Sequence, residues 1–590
     1  SRHPAALTQA ISGLGGVGKT QLAVQYAWQH GGEYKVVWWV RAEQPAQLAA
    51  DYADLARALN LPEKDAREQE IVVEAVRKWL SINGEWLLIF DNAPDPEAVK
   101  PYLPAGRKGH VIITSRHHAW GGIAQRLDVK VLPIDDAVIF LRNRAGRPND
   151  PDAKVLAKAM GFLPLALTQA AVYVERTGSS FARYIEILKR AEKELLASGV
   201  GAEDYDISVA AAIGLSLDKL QPASADLLIL CAFLAPDDIP LDLIAAVGAD
   251  LPKRLAATIA DPKSFAECQG DLLSQSLIEC PADGLLSVHR IVQAVVRSRL
   301  RPAQRKAWAK AAVAMMNEAF PDNIAKSPDV WPTCKRLFMH ALAAASNAEG
   351  DDETLAAAAW LFNQAGEYLS LVSDLPGAKA NFEKALAIDE KIFGPEHTKV
   401  AACLNNLGFV LQEQGNLPGA NACFRRALAI DEKAYGLEHP DVATTVNNLG
   451  SVLVDEGDVA GAKACFQRAL SIDEKTYGMD HPKLAIRTNN LGFVLDEEGN
   501  RTGAMACYQR ALSIDQRTYG PNHPNVAVDL NNIGTVLVGE GNLAGAKTLF
   551  RQALGIDEEV YGREHPKVAE RLNNLGWVLR LEGDLGGANA

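Results

Sequence analysis

The residues best suited to chemistry lie near the start of the chain, where a glycine-rich run ends in a lysine and a threonine. Gly13 to Thr20 read GLGGVGKT and meet the pattern G-x-x-x-x-G-K-[ST] at every fixed position. In such a loop the backbone N–H groups surround phosphates at a helix N-terminus, the lysine reaches the β- and γ-phosphates, and the hydroxyl binds Mg²⁺. The sequence therefore predicts a site for ATP or ADP with Mg²⁺. Its predicted phosphate-binding residues are Gly13, Gly15, Gly16, Val17, Gly18, Lys19, Thr20 and Gln21.

Two predicted strand ends supply further candidates. Trp86 to Asp91 is an apolar run that ends in a carboxylate, which predicts a buried strand that delivers Asp91 to the Mg²⁺ shell. The run from His110 to Ser115 predicts another strand, and Arg116 after it would place a cation near the γ-phosphate. The predicted catalytic residues are thus Lys19, Asp91 and Arg116, and the predicted Mg²⁺ ligands are Thr20 and Asp91.

A parallel sheet is needed to bring these residues together. Strand and helix signals alternate, which is typical of an α/β domain with such a sheet. The predicted elements are strands at Thr8 to Ser12 and Lys35 to Arg41 and helices at Gln21 to His30, Ala46 to Asn60 and Arg67 to Ile82. We expect slow ATP hydrolysis, because Asn92 stands where a second carboxylate would polarise the attacking water, and Asp95 is badly placed to replace it.

The second half of the chain repeats itself every 42 residues. The tetrapeptide Asn-Asn-Leu/Ile-Gly begins at Asn405, Asn447, Asn489, Asn531 and Asn573. One unit carries the apolar stripes of two helices, formed by Leu404, Leu407, Gly408 and Leu411 and by Ala420, Phe424 and Ala427. A single hairpin cannot bury such faces, so the units are predicted to stack into an all-α solenoid.

This pattern resembles the tetratricopeptide repeat, and its Tyr-Gly-x-x-His-Pro connectors resemble the kinesin-light-chain type, over roughly residues 361–590. The resemblance implies a groove for a protein or peptide partner, lined by the inner face of each first helix. The predicted partner-binding residues are Asn405, Asn447, Asn489, Asn531 and Asn573. The same asparagines could instead tie one hairpin to the next, and the two roles are compatible. Four residues further on the sequence varies, as a selective surface would, through Phe409, Ser451, Phe493, Thr535 and Trp577. The connector histidines are predicted to precede helices rather than to bind metal.

With the motifs at Gly13 to Thr20, Asp91 and Arg116, the segment Gly161-Phe162-Leu163-Pro164-Leu165 resembles the NB-ARC group of STAND signalling ATPases. The resemblance implies that Pro164 packs on the adenine base and that a winged-helix domain directs a histidine to the β-phosphate of ADP. His289 matches that histidine, although Arg290 replaces the acidic residue that usually follows, and capping or packing at a helix start is the alternative role.

We expect the chain to be longer than the sequence in hand. Only twelve residues precede Gly13, so the adenine-contacting segment and the effector domain of this group are expected upstream. The last repeat is expected to continue past Ala590.

The predicted domain order is a P-loop NTPase core (1–147), a helical domain (148–200), a winged-helix-like domain (201–301), a helical adaptor (302–360) and the repeats (361–590). Within the third part, Ala225 to Leu234 and Leu285 to Val288 are predicted to be extended and Ile291 to Leu300 helical. Five arginines between Arg290 and Arg305 make DNA binding an alternative, but we assign this stretch to the nucleotide-contacting helix and its exit.

Composition excludes several other classes. The chain is 48% hydrophobic and 23% charged, as in ordinary globular proteins, and its net charge of −13 lacks the broad positive field of non-specific nucleic-acid binders. Its eight cysteines form no CxxC pair, and three of them, Cys423, Cys465 and Cys507, follow the repeat spacing. No apolar run reaches the ~18–20 residues of a membrane span. A cytoplasmic protein without membrane contact is expected.

These observations together predict a nucleotide-dependent signalling switch, off with ADP and on with ATP. Its repeats would sense a protein or peptide and control the assembly of a homo-oligomer. Two alternatives remain: a repeat scaffold with a structural nucleotide-binding domain, and a STAND-type transcription regulator.

Overall fold

A computed structural model provides the fold, and the chain divides into two compact units. One comprises residues 1–61 and 72–368, and the other comprises residues 62–71 and 369–590. The structure describes residues 8–12, 17–64, 66, 69–104, 108–117, 120–121, 123–197, 207–246, 251–280, 282, 284–322, 324, 330–562 and 566–584.

The first unit begins with a parallel sheet of five strands in the order β2-β3-β4-β1-β5. The strands are β1 (Thr8–Ser12), β2 (Val36–Arg41), β3 (Trp86–Ala93), β4 (His110–Ser115) and β5 (Gln125–Asp128). The accompanying helices are α1 (Lys19–His30), α2 (Pro45–Ala58), α3 (Gln69–Ile82) and α4 (Pro96–Val99). Residues 86–90 of β3 are completely buried, as expected for a parallel strand covered on both faces. The predicted α/β domain is confirmed.

Helices dominate the rest of this unit. A first group consists of α5 (Ile134–Arg144), α6 (Ala153–Ala159), α7 (Pro164–Thr177) and α8 (Phe181–Ala197). A second group consists of α9 (Ile207–Leu217), α10 (Pro222–Cys231), α11 (Leu241–Ala246), α12 (Lys253–Ala260), α13 (Pro262–Ser274) and α14 (Arg290–Arg299). Two short strands, β6 (Ile239–Pro240) and β7 (Leu285–Leu286), pair antiparallel within the second group, and Glu279 bridges Ser287 beside them. A small antiparallel sheet among helices agrees with the winged-helix prediction.

One prediction in this region was wrong. Ala225 to Leu234 is not extended: Pro222–Cys231 is helix α10, and Ala232 and Phe233 continue it with turn-like hydrogen bonds. In the apolar run Leu-Leu-Ile-Leu-Cys every residue but Ile229 is buried, and a short run of this kind has no period that separates strand from helix. The prediction of an extended segment at Leu285 to Val288 agrees with β7 and the adjoining bridge.

Paired helices make up the remainder of the chain. They begin with α15 (Pro302–Ala319), α16 (Trp331–Ser346), α17 (Asp352–Leu371) and α18 (Leu375–Phe393). The 42-residue units follow as α19 (Thr398–Glu413) with α20 (Leu417–Tyr435), α21 (Pro440–Asp455) with α22 (Val459–Tyr477), α23 (Pro482–Glu497) with α24 (Arg501–Tyr519), and α25 (Pro524–Gly539) with α26 (Leu543–Tyr561). The last described helix is α27 (Pro566–Leu581). The boundaries predicted between the domains stay predictions.

Sequence features of the repeats explain how the hairpins close. A methyl group on Gly408 would lie 2.8 Å from the ring of Phe424, so only glycine lets the two helices of this pair approach as closely as they do. Gly415 turns the chain with φ of 75°, and Asn416 then caps α20 by accepting a hydrogen bond from the backbone of Gly419. The connector histidines precede helices as predicted: the His439 ring accepts from the backbone N–H of Asp441 at the start of α21.

Candidate nucleotide site

The sheet topology brings the predicted catalytic residues to one edge. Strand β4 lies between β1 and β3, and all three run parallel, so their carboxyl ends meet on the same side. Lys19 follows β1 at the start of α1, Asp91 lies near the end of β3, and Arg116 follows β4. Gly13, Gly15 and Gly16 were also predicted to bind phosphate, but they lie outside the described residues.

Asp91 is the centre of a hydroxyl cluster. Thr20 Oγ1 donates to Asp91 Oδ1 at 2.8 Å, and Thr114 Oγ1 donates to the same oxygen at 2.5 Å. Burial raises the pKa of Asp91, while these hydrogen bonds lower it in part. A carboxylate beside a threonine hydroxyl at a helix N-terminus is the oxygen-donor set that Mg²⁺ prefers, so the two predicted metal ligands fit the ion chemically.

Lys19 is buried at the first position of α1, with only 8% of its surface exposed. Burial and, to a smaller extent, Arg116 lower its pKa to about 8, while Asp91 acts in the opposite direction. Gly18 precedes it with φ of 93°, a conformation that favours glycine. Of the other predicted phosphate contacts, Val17 is buried beside Gly18 and Gln21 is exposed in the first helical turn. An ammonium held at the positive end of a helix is suited to a polyphosphate anion.

His289 enters the same area from the winged-helix part. Its Nδ1 accepts from the backbone N–H of Ile291, which caps α14 and leaves the proton of the neutral ring on Nε2. The ring keeps an accessible edge, although it is crowded by protein atoms. That crowding, with smaller effects of Arg116 and Lys19, lowers the pKa of His289 to about 4. His289 thus caps α14 as the alternative role required; the cap does not use the Nε2–H, and its contact with phosphate stays a prediction.

Arg290 stands where the family pattern has an acidic residue, and its contacts explain how the arginine is accommodated. It forms an ion pair with Glu43, which lies between β2 and α2. Burial lowers the pKa of Arg290 to about 10, so it stays charged at neutral pH. The acidic partner is thus supplied by the NTPase core, and the pair joins that core to the winged-helix part.

Pro164 lies at the first position of α7, partly exposed, where a missing N–H costs nothing. The two residues before Leu163 have positive φ, 57° at Gly161 and 58° at Phe162. The backbone N–H of Leu132, which follows β5, donates to the Phe162 carbonyl at 3.1 Å. The loop is therefore hydrogen-bonded to the segment that follows β5, and the contact of Pro164 with adenine stays a prediction.

Asn92 and Asp95, which follow Asp91, have structural roles. Asn92 has φ of 57°, and its backbone N–H donates to Thr114 Oγ1 at 2.9 Å. Asp95 caps α4 by accepting from the backbone N–H of Ala98 at 2.9 Å. Neither side chain is thus arranged as a general base.

The sequence did not reveal a group of charged residues that lie close together at the carboxyl end of β2 and near Asp91. The Arg41 guanidinium, at the end of β2, donates two hydrogen bonds to Asp51 of α2 and lies 3.7 Å from Asp238. Burial, followed by the nearby Asp238 and Asp91, raises the pKa of the neighbouring Asp237 to about 6. His340 of α16 contacts the Asp238 carbonyl at 3.2 Å. The only sequence signal was the pair of acids after an apolar helix, which is too common to single out.

Four of the five repeat asparagines are placed as the tying alternative requires. Asn405 donates to Thr445 in the next repeat at 2.8 Å, and Asn447 accepts from Asn490 at 2.9 Å. The other contacts join Asn489 to Asp529 and Asn532 and join Asn531 to Asn574. Asn573 belongs to the last described helix and is exposed. Partner binding by this row stays a prediction.

Fold and site together define a P-loop nucleotide-binding protein with a helical repeat array. An NB-ARC domain model matches residues 4–150, and a tetratricopeptide-repeat model matches residues 356–433, 441–514, 486–559 and 530–589. A domain model of unknown function matches residues 215–305. The chain accordingly contains an NB-ARC domain and a tetratricopeptide-repeat array.

Individual relatives agree with this assignment. A nucleotide-binding leucine-rich repeat-like protein of Hyaloscypha variabilis is 26% identical over 50% of this chain and 32% of its own length. Regulatory protein AfsR of Streptomyces griseus is 28% identical over 49% of this chain and 29% of its own. The crystal structure of a STAND protein with a tetratricopeptide repeat sensor from Pyrococcus horikoshii has the same fold, with a TM-score of 0.51, 16% identity, and coverage of 99% of this chain and 86% of that chain. The chain spans about a third of the length of the curated relatives it matches.

Proposed function

We propose that this protein is a nucleotide-dependent signalling switch, off with ADP and on with ATP. The observation that carries the proposal is the convergence of Lys19, Arg116 and His289, which come from two different parts of one compact unit. Each of the three is a hydrogen-bond donor, and Arg116 disfavours the protonation of the other two. An anion between them would relieve that repulsion, which gives a phosphate chain the means to hold the two parts together.

Each residue has a role that its surroundings support. Lys19 and the Nε2–H of His289 bind the β-phosphate, and Arg116 faces the γ-phosphate. Thr20 and Asp91 hold Mg²⁺, and Pro164 borders the adenine. When bound, the Mg²⁺–nucleotide supplies the phosphoryl group whose presence or loss distinguishes the two states.

Hydrolysis by this site is proposed to be slow. Asn92 has no carboxylate and Asp95 caps α4, so neither of these residues after Asp91 positions the attacking water. A slow ATPase lets the protein remain in its active state for a defined time, as a timer requires.

The repeats are proposed to be the sensor. Tetratricopeptide repeats are protein-interaction units, and a partner bound to them shifts the switch only if its affinities for the two states differ. The active state is proposed to be a homo-oligomer in the cytoplasm. In the part of the chain that the structure describes, no helix is long and apolar enough to cross a membrane.

Direct DNA binding through α14 is not favoured. Arg290 pairs with Glu43, Arg297 donates to the Ala232 carbonyl, and Arg299 binds Asp218 at 2.6 Å. These side chains are used within the unit rather than presented to a phosphate backbone.

The variant Lys19→Ala tests the proposal. We expect it to lose measurable binding of a fluorescent ADP analogue and to keep one molar mass, by light scattering, with every nucleotide. Lys35→Ala, which removes an exposed lysine paired with Glu85, is the matched control and should behave as wild type. If Lys19→Ala still binds the analogue and changes mass with nucleotide, the switch mechanism is wrong.

A further inference from the structure

The inner helices of the repeats carry three aligned rows of side chains. Residues four and eight positions after each first asparagine lie on the same helix face, so each inner helix adds one member to each row. The first row is Asn405, Asn447 and Asn489; the second is Phe409, Ser451 and Phe493; the third is Glu413, Asp455 and Glu497. Hydrogen bonds from Asn448 to Asn405 and from Asn490 to Asn447 join successive inner helices directly, so the rows run across neighbouring repeats.

The asparagine row supplies little free hydrogen-bonding capacity. Asn405, Asn447 and Asn489 already exchange hydrogen bonds with the next repeat, and Asn447 is only 7% exposed. Affinity for a partner must therefore come from the two rows beside it.

The second row alternates between aromatic and hydroxyl side chains. Phe409 is 51% exposed, Phe493 47% and Trp577 39%, whereas Ser451 and Thr535 stand between them. Large apolar side chains this exposed, at a fixed position of every second repeat, form separate apolar contact points rather than a continuous patch.

The spacing of these contact points suits an extended chain. Neighbouring helices lie about 10 Å apart, so aromatic residues in alternate repeats are about 20 Å apart. An extended peptide advances at most about 3.3–3.6 Å per residue, so roughly six residues span that distance.

The third row gives the surface a charge. Glu413, Asp455 and Glu497 are exposed, and Asp455 accepts a hydrogen bond from Gln412 at 2.6 Å. In the next two inner helices the same position is Gly539 and Leu581. The third row is therefore acidic along α19, α21 and α23, whereas on α25 the Arg501 side chain lies beside Gly539.

We propose that this face binds an extended, basic peptide segment of a protein partner, with large apolar residues about six positions apart. Its lysines or arginines would contact Glu413, Asp455 and Glu497, and its apolar residues would contact Phe409, Phe493 and Trp577. The proposal rests on the proposed function only in taking the repeats as the sensing surface. A helical ligand rises about 1.5 Å per residue and would instead need apolar residues roughly 13 positions apart.

Selection from a random 16-residue phage-displayed peptide library on the whole chain tests this proposal. We expect enriched peptides to carry Lys or Arg and two apolar residues five to seven positions apart. Fluorescence anisotropy of an enriched peptide should show at least tenfold weaker binding to Phe493→Ala. The triple variant Glu413→Gln, Asp455→Asn, Glu497→Gln should bind several-fold more weakly and with less salt dependence.

Leu437→Ala is the control, because Leu437 is 63% exposed on a connector rather than on an inner helix. Enrichment of acidic peptides, a 13-residue apolar spacing, failure to enrich any peptide, or equal losses for Leu437→Ala and Phe493→Ala would each overturn the proposal. If the peptide proposal fails but the molar mass of the same preparation still depends on the nucleotide, the proposed switch is not contradicted.

Discussion

Lys19 and His289 show how one set of surroundings prepares two residues for an anion. Surrounding protein atoms and, to a smaller extent, Arg116 lower the pKa of both, to about 8 for Lys19 and about 4 for His289. At pH 7 the histidine is therefore neutral and offers an Nε2–H rather than a charge. Its contact with phosphate should depend on geometry more than on pH.

His289→Ala should weaken ADP binding about tenfold, since a hydrogen bond to a charged group contributes roughly 1.5 kcal/mol. Isothermal titration at pH 6.5 and pH 8 should give the same loss, because His289 does not titrate in that window. His439→Ala, which removes a capping histidine of the repeats, serves as the control. A loss confined to the lower pH would mean that the imidazolium form binds.

At one point in the repeats two buried carboxyl groups face each other, where other repeats pair an aspartate with an arginine. Asp473 of α22 accepts from Arg487 of α23, and the equivalent positions one repeat later are Asp515 and Asp529. Burial raises the pKa of Asp529 to about 7 and that of Asp515 to about 6, and the proximity of Asp515 adds to the rise at Asp529. The facing amides of Asn489 and Asn525 lower these values only in part.

Asp529→Arg should stabilise α24 and α25 at pH 7.5 by on the order of 2 kcal/mol, since it recreates the arginine that pairs with Asp473 and Asp557 in other repeats. Native-state hydrogen exchange of peptides from these helices measures the change. Below about pH 4 both carboxyl groups are protonated in the folded and in the unfolded chain, and the wild-type pair contributes most stability there. This contribution is lost as the pH rises through about 6 to 7. Asp529→Asn should flatten that pH dependence; an unchanged profile would contradict the raised pKa values.

Single residues differ in how well the sequence predicts them. Lys19, Thr20 and Asp91 follow from local motifs whose geometry the strand and helix impose, and the structure brings them together. Glu43 and Asp237 matter only because folding places them against Arg290 and Asp91, and no local pattern marks either one.

At the level of elements, α16 joins two parts of the first unit. Lys335 pairs with Asp54 of α2, Arg336 binds Asp242 of α11 at 2.8 Å, and His340 contacts the Asp238 carbonyl. Three contacts within two helical turns thus tie this helix to both the NTPase core and the winged-helix part. A relative movement of those two parts would have to break some of them.

A double-mutant cycle on Arg336 and Asp242 measures this connection. The pair is partly exposed, so its coupling energy should be about 0.5–1 kcal/mol in the presence of ADP. With a non-hydrolysable ATP analogue we expect the coupling to fall towards zero, as the parts separate. The pair Arg183 and Glu186, within α8, is the control and should not respond to the nucleotide. Equal coupling in both states would show that the contact between α16 and the winged-helix part does not follow the switch.

Elements with a repeated pattern were predicted better than those without one. The tetratricopeptide hairpins follow from a glycine under an aromatic ring, a turn glycine and a capping asparagine or aspartate in each unit, and each feature has a local physical cause. Helix α10 has no such repetition, and its continuous apolar run was wrongly predicted to be extended.

In the whole molecule, we propose that the nucleotide bound at the site controls the assembly state. The net charge of −13 opposes association of copies at low ionic strength, so self-association requires a specific surface exposed in one state only. A scaffold with a structural nucleotide would keep the same mass with every nucleotide. The two possibilities therefore differ in one observable.

The most direct test is the molar mass of the nucleotide-free chain after equilibration with ADP or with a non-hydrolysable ATP analogue, measured by light scattering at one protein concentration. The account predicts a monomer with ADP and a larger, defined species with the analogue, and the Lys19→Ala variant should not respond. The same mass in both nucleotides, with binding of each verified by titration, would contradict the switch.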